Sequence, residues 1–119
     1  MRLTRKKAIE LCIELWTWLA KTGKLKEDWP KWEEYSKKYG SDDIYSPVCN
    51  HCWFCEYSCQ RSSSMLLNCK FCPYRIKYGH CHSNKKDVLN HYGHWFEAKT
   101  PRTRKKYAKL FLEQIKQTV

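Results

Sequence analysis

Cys49, Cys52, Cys55 and Cys59 put four thiols into the eleven-residue stretch CNHCWFCEYSC, and Cys69, Cys72 and Cys81 follow it. Thiols at two-residue spacing point to metal, because one short turn delivers two soft sulfurs to one ion and aims backbone amides at them. Two cofactors use such spacings. The pair Cys52 and Cys55, followed after thirteen residues by the pair Cys69 and Cys72, is the double knuckle of a tetrahedral Zn2+ site. The run from Cys49 to Cys59 has the spacing of a bacterial ferredoxin. Gln60 stands where proline would follow, however, and the run is not repeated, so a 4Fe-4S cluster ranks below zinc.

More ligands are at hand than one ion needs. Cys49, Cys59 and Cys81, with His51 and His82, leave a second zinc open, and Cys81 in place of Cys69 also completes a single site. His80 and His82 otherwise read as solvent-facing loop histidines. A centre closed by four thiolates has no position for water, which points to architecture rather than catalysis. Cys12 stands apart, within the apolar stripe of an N-terminal helix. It reads as a small packing residue whose removal should leave the metal in place.

Thiols serve metals only where they stay reduced. Glu10 and Glu14 interrupt the apolar stretch near the start, which argues against a secretory signal. No run approaches the eighteen or so apolar residues of a membrane span. The expectation is a soluble cytoplasmic protein with no membrane partner and no disulfide framework.

These thiols need elements to hold them, and residues 4–22 read as an amphipathic helix. Thr4 is placed to cap it, Ile9, Cys12, Trp16 and Leu19 form its apolar stripe, and Gly23 ends it. A shorter helix follows in DWPKWEEYSKKYG, with Trp32, Tyr35 and Tyr39 on one packing face. Residues 41–82 lose helical periodicity and read as an irregular segment organised by metal. Ser83 is placed to cap a third helix through Val88, Leu89, Tyr92, Trp95 and Phe96, with Gly93 as a potential break. Thr100 and Pro101 open a fourth helix, with Tyr107, Leu110, Phe111 and Ile115 on one side. The fold class is therefore mainly α: one domain of 119 residues, with helices in 1–40 and 83–119 and a zinc knuckle in 41–82 inserted between the two helix pairs.

The formal charge is +11, or about +9 once four thiolates bind one Zn2+. Its placement is uneven. Residues 57–86 carry six Lys or Arg and no acid, and residues 98–112 carry six more, again without an acid. Half of the twelve acids lie in 27–43. Arg61, Lys70, Arg75 and Lys77 in the first block, and Arg102, Arg104, Lys105 and Lys106 in the second, are the candidate contacts to a polyanion such as nucleic acid. Trp53, Phe54 and Tyr74 are candidate stacking residues beside them.

The segments IELWTWLA, CWFCEY and CKFCPY, the later Cys81, and AKTPRTRKKYA together resemble small cysteine-rich proteins of unassigned function encoded by phages and prophages of Gram-positive bacteria. Cys49 and Cys59 are additional to that pattern. The resemblance implies a zinc-stabilised accessory protein in a host bacterial cell, acting on host or phage nucleic-acid machinery, and it supplies no catalytic residue. Binding to nucleic acid or a nucleoprotein is the leading expectation. An inhibitor or adaptor docking on an acidic host protein surface is the alternative. A metal-dependent nuclease using Asn90, His91 and His94 stands third, since one Asn-His pair is no catalytic constellation, and the chain is expected not to be an enzyme.

Overall fold

Thr4 opens α1 (Arg5–Thr22), its Oγ accepting from the Lys7 amide at 3.1 Å, and Gly23 closes it in the left-handed region at φ 71°. In this computed structural model residues 3–39, 52–61, 72–78, 83–85 and 88–118 are described. The helix exists because its stripe of Ala8, Ile9, Leu11, Cys12, Leu15, Trp16 and Leu19 is buried, while the opposite face carries charge.

A 3-10 turn at Lys26–Asp28 leads into α2 (Trp32–Tyr39). Trp32 donates its indole N–H to the Lys26 carbonyl at 2.6 Å and packs edge-on to Trp29. Tyr35 donates to the Glu14 carboxylate at 3.1 Å, tying α2 to α1. Trp32, Tyr35 and Tyr39 do share the packed face expected of them.

Two helices occupy the segment expected to be irregular: α3 (Trp53–Arg61) and α4 (Pro73–Tyr78). Each begins immediately after a cysteine. No periodicity announced α3, because Trp53, Phe54, Cys55, Glu56 and Ser58 are consecutive or nearly so and all are buried. A helix buried on most sides has no polar face to alternate with. Pro73, whose fixed φ suits a first helical position, starts α4.

The third helix is also shorter than its sequence pattern suggests. Residues Ser83–Lys85 (β1) and Val88–Leu89 (β2) pair antiparallel with a register irregularity, and α5 spans only His91–Glu97, starting after Asn90. Val88 is β-branched and favours a strand, and it begins the apolar pattern that served β2. Gly93 does not break α5; it is buried within it. The last helix, α6 (Pro101–Lys116), matches its reading, with the Thr100 hydroxyl accepting from the Thr103 amide at 3.3 Å. Leu110 is the exception on its apolar side, being 38% exposed.

The molecule is built on an antiparallel α1–α6 pair. Arg104 donates from Nε to the Gly23 carbonyl at 2.7 Å at one end, and Arg5 donates to the Thr118 carbonyl at 2.8 Å at the other. Between these clasps, Trp16 meets Phe111 edge-on at 4.6 Å and Trp95 at 4.9 Å. Phe111 also packs on Tyr74 of α4 and Tyr92 of α5. The architecture is mainly helical, and among the described residues no helix is long and apolar enough to cross a membrane.

Candidate thiolate centre and cationic face

Cys12 lies on the buried stripe of α1, one turn before Trp16, and α1 packs against α3. Cys52 directly precedes α3, Cys55 lies in its first turn, and Cys72 directly precedes α4. Cys12, Cys55 and Cys72 are buried and Cys52 is half-buried. They converge. The thiols of Cys12 and Cys55 both donate to the Cys52 sulfur, and Cys72 is within electrostatic reach of Cys12. Backbone amides close on the same sulfurs: Phe54 N–H donates to Cys12, and Cys55 N–H donates to Cys52. These are the free amides of the first turn of α3, which seek an acceptor at any helix start.

A buried cation completes the arrangement. Lys26, only 5% exposed, donates to the Tyr92 hydroxyl at 2.7 Å and lies 6.0 Å from the centre of the Trp95 ring. Burial pulls the Lys26 ammonium down, but the neighbouring Tyr92, Cys52 and Cys55 charges and the Tyr92 hydrogen bond outweigh it, leaving a net rise. The hydrogen bonds from Cys12 and Cys55 hold the Cys52 thiol well below the ordinary cysteine range, against burial and with help from Lys26. Burial first, then the hydrogen bond to Cys52 and its charge, push Cys12 well above that range. The two shifts run in opposite directions, Cys52 toward its thiolate form and Cys12 toward its protonated form.

Among the described residues, no three His, Cys, Asp or Glu side chains stand ready-made around a single metal position. Cys52 interacts with Cys12 and Cys55 through hydrogen bonds, and Cys72 acts on Cys12 through its charge. Of the ligands expected from spacing, Cys52, Cys55 and Cys72 are brought to one end of the core. Cys69, Cys49, Cys81, His51 and His82 lie outside the described residues, as does the side chain of Cys59. Sequence reasoning missed the proximity of Cys12, which does pack in the core as expected but with its sulfur against Cys52. It also missed Lys26. The signal for Cys12 was there: a thiol on a stripe that must face the cysteine-rich segment. Lys26 had none.

The expected cationic contacts divide. Arg102, Lys105 and Lys106 are exposed on α6, together with Lys109. Arg104 is a correction: it is half-buried and its guanidinium holds the Gly23 carbonyl, so it clasps helices rather than facing solvent. Lys77 is exposed but donates to the Gln117 carbonyl, which occupies it in joining α4 to the end of α6. Lys70 lies outside the described residues, and so do the side chains of Arg61 on α3 and Arg75 on α4.

The stacking expectation is overturned. Trp53, Phe54 and Tyr74 are 0%, 2% and 1% exposed, because each fills the core, and Tyr74 further donates to Gln114 at 2.9 Å. Among the described residues the exposed large aromatic is Phe96, at 62%. Near it, His94 stacks on Tyr107 at 4.8 Å, and Lys106 lies over the same Tyr107 ring at 5.2 Å. Among the described residues no carboxylate joins Asn90, His91 and His94 in a metal-binding group.

No protein-family model, curated protein or solved structure matches this chain.

Proposed function

We propose that this chain is a small helical module, held together by a thiolate-bound zinc, that binds nucleic acid along the outer face of α6. The supporting observation is the spacing and exposure of its cations. Arg102, Lys105, Lys106 and Lys109 recur at three- and four-residue steps on the face turned away from α1. They form a stripe about 10 Å long at 1.5 Å per residue. None of Arg102, Lys105 and Lys109 has an ion-pair partner among the described residues, and the first acid on the helix is Glu113. Cations left unpaired along one helix face suit a phosphate backbone, since each phosphate neutralised releases a condensed counterion. Phe96 offers a stacking surface at the same end.

The exposure of Leu110 beside Lys106 and Lys109 favours a second reading, docking on an acidic protein surface, because a base-independent phosphate contact has no use for an apolar side chain. One experiment separates the two. Replacing Arg102, Lys105, Lys106 and Lys109 with Gln should leave the thermal midpoint nearly unchanged, since exposed charges contribute little to stability. It should weaken nucleic-acid binding and flatten the slope of log affinity against log salt by about 0.9 per lost duplex contact, or about 0.7 for single strands. A parent protein with no affinity for either form of nucleic acid at physiological salt would sink the nucleic-acid reading and leave the protein surface in its place.

A further inference from the structure

We infer that the end of α5 and the start of α6 take nucleic acid as a single strand, with one base stacking on Phe96 while the adjoining phosphates meet Lys99 and Arg102. The inference rests on the reading that α6 binds nucleic acid, and it names the form of nucleic acid and the residue that selects it.

Phe96 lies in the last turn of α5 and is 62% exposed. A single exposed phenylalanine is ordinary on a protein surface. The support beneath this one is not. Its ring stacks on Tyr92, one helical turn earlier, with centroids 6.3 Å apart and planes 27° from parallel. Tyr92 is fixed in turn: its ring packs on Phe111 at 5.4 Å and on Trp16 at 5.8 Å, and its hydroxyl accepts from the Lys26 ammonium at 2.7 Å. Phe111, Tyr92 and Phe96 thus make a column of rings that starts in the core and ends at the surface. A base added to its outer end stacks on a ring already held in place, so little side-chain freedom is lost on binding.

The cations beside this platform have the matching charge. The chain leaves α5 at Ala98 and starts α6 at Pro101, and Lys99 and Arg102 are exposed on either side of that start. Lys99 is three residues from Phe96, a span of at most about 11 Å of extended chain, which keeps a phosphate next to the stacked base within reach of its long side chain. Neither Lys99 nor Arg102 has an ion-pair partner among the described residues, and no acid lies between Glu97 and Glu113. The ring decides between the two forms of nucleic acid. In a duplex the bases are stacked on one another, and opening a step to admit a side chain costs free energy. A single strand offers a π-face at every base, whatever its identity.

Binding of the full chain to a mixed-sequence single strand of about twenty nucleotides, and to the duplex made from it, tests the inference. The parent should prefer the single strand. Phe96→Ala should weaken single-strand binding about 5- to 150-fold and leave duplex binding nearly unchanged. Phe96→Leu, which keeps apolar bulk without a π-face, should lose nearly as much, and Phe96→Trp should match or exceed the parent. Lys99→Gln should flatten the single-strand slope of log affinity against log salt by about 0.7. A parent that binds duplex as tightly as single strand, or a Phe96→Leu protein with parental single-strand affinity, would overturn the inference and leave the α6 reading standing. Absence of binding to either form would overturn both.

Discussion

Lys26 is unusual among the charged residues, because it is buried against aromatic rings and near sulfur. Its ammonium is held above the ordinary lysine value of 10.5, so the folded state binds that proton more tightly than the unfolded chain does. The sign follows from linkage: a raised folded-state value contributes stability that is full below the unfolded value and is lost as pH rises through the folded one. The stability difference between the parent and Lys26→Met should therefore stay level at neutral and mildly alkaline pH and shrink above about pH 10.5. Urea titrations of both proteins across that window check it, and a difference that grows with pH would contradict it. Gly23 is the other residue whose identity is physically forced. Its φ of 71° is left-handed, and a Cβ there would stand 2.6 Å from the Pro101 carbonyl oxygen. Gly23→Ala should cost about 1–3 kcal/mol, read as a lowered urea midpoint; an unchanged midpoint would mean that the α1–α6 junction yields freely.

The helices differ in how openly the sequence declares them. The start of both long helices and the end of α1 were legible in the sequence, because Thr4, Gly23, Thr100 and Pro101 are local signals that act on the backbone beside them. The aromatic face of α2 was legible for the same reason. By contrast α3 could not be read from periodicity, since Trp53, Phe54, Cys55 and Glu56 are buried in succession and leave no alternation at its start, and β2 borrowed a pattern that also fits a helix. The candidate site follows the same division. Cys52, Cys55 and Cys72 were found from their spacing, a local property. Cys12 and Lys26 join them only through packing of α1 and of the turn after it, a non-local property that no spacing reports. Arg104 was misassigned because charge counts do not distinguish a cation facing solvent from one spent on a helix C-terminus. In the described segments, a cysteine directly preceding a short helix marks α3 and α4 alike.

At the scale of the molecule the core is an aromatic network centred on α6. Phe111 contacts Trp16, Tyr74 and Tyr92, rings from three other helices. Phe111→Ala should cost about 3–5 kcal/mol by lost burial and the cavity left behind. For a domain whose total stability is roughly 5–15 kcal/mol, that is a large share. The loss should appear in chemical denaturation as a single lowered transition, because the rings couple the elements. A second transition would show that α6 can leave while the rest holds. The clasp between Arg5 and the Thr118 carbonyl joins positions 113 residues apart in the chain, and it carries a consequence in time rather than in energy. On a ribosome α1 emerges well before its principal partner, α6. At roughly 5–20 residues per second, the apolar stripe of α1 waits on the order of ten seconds for α6. Trp16 and its neighbours are open to chaperones and to other nascent chains throughout that interval, and its length is set by topology, however stable the finished protein is.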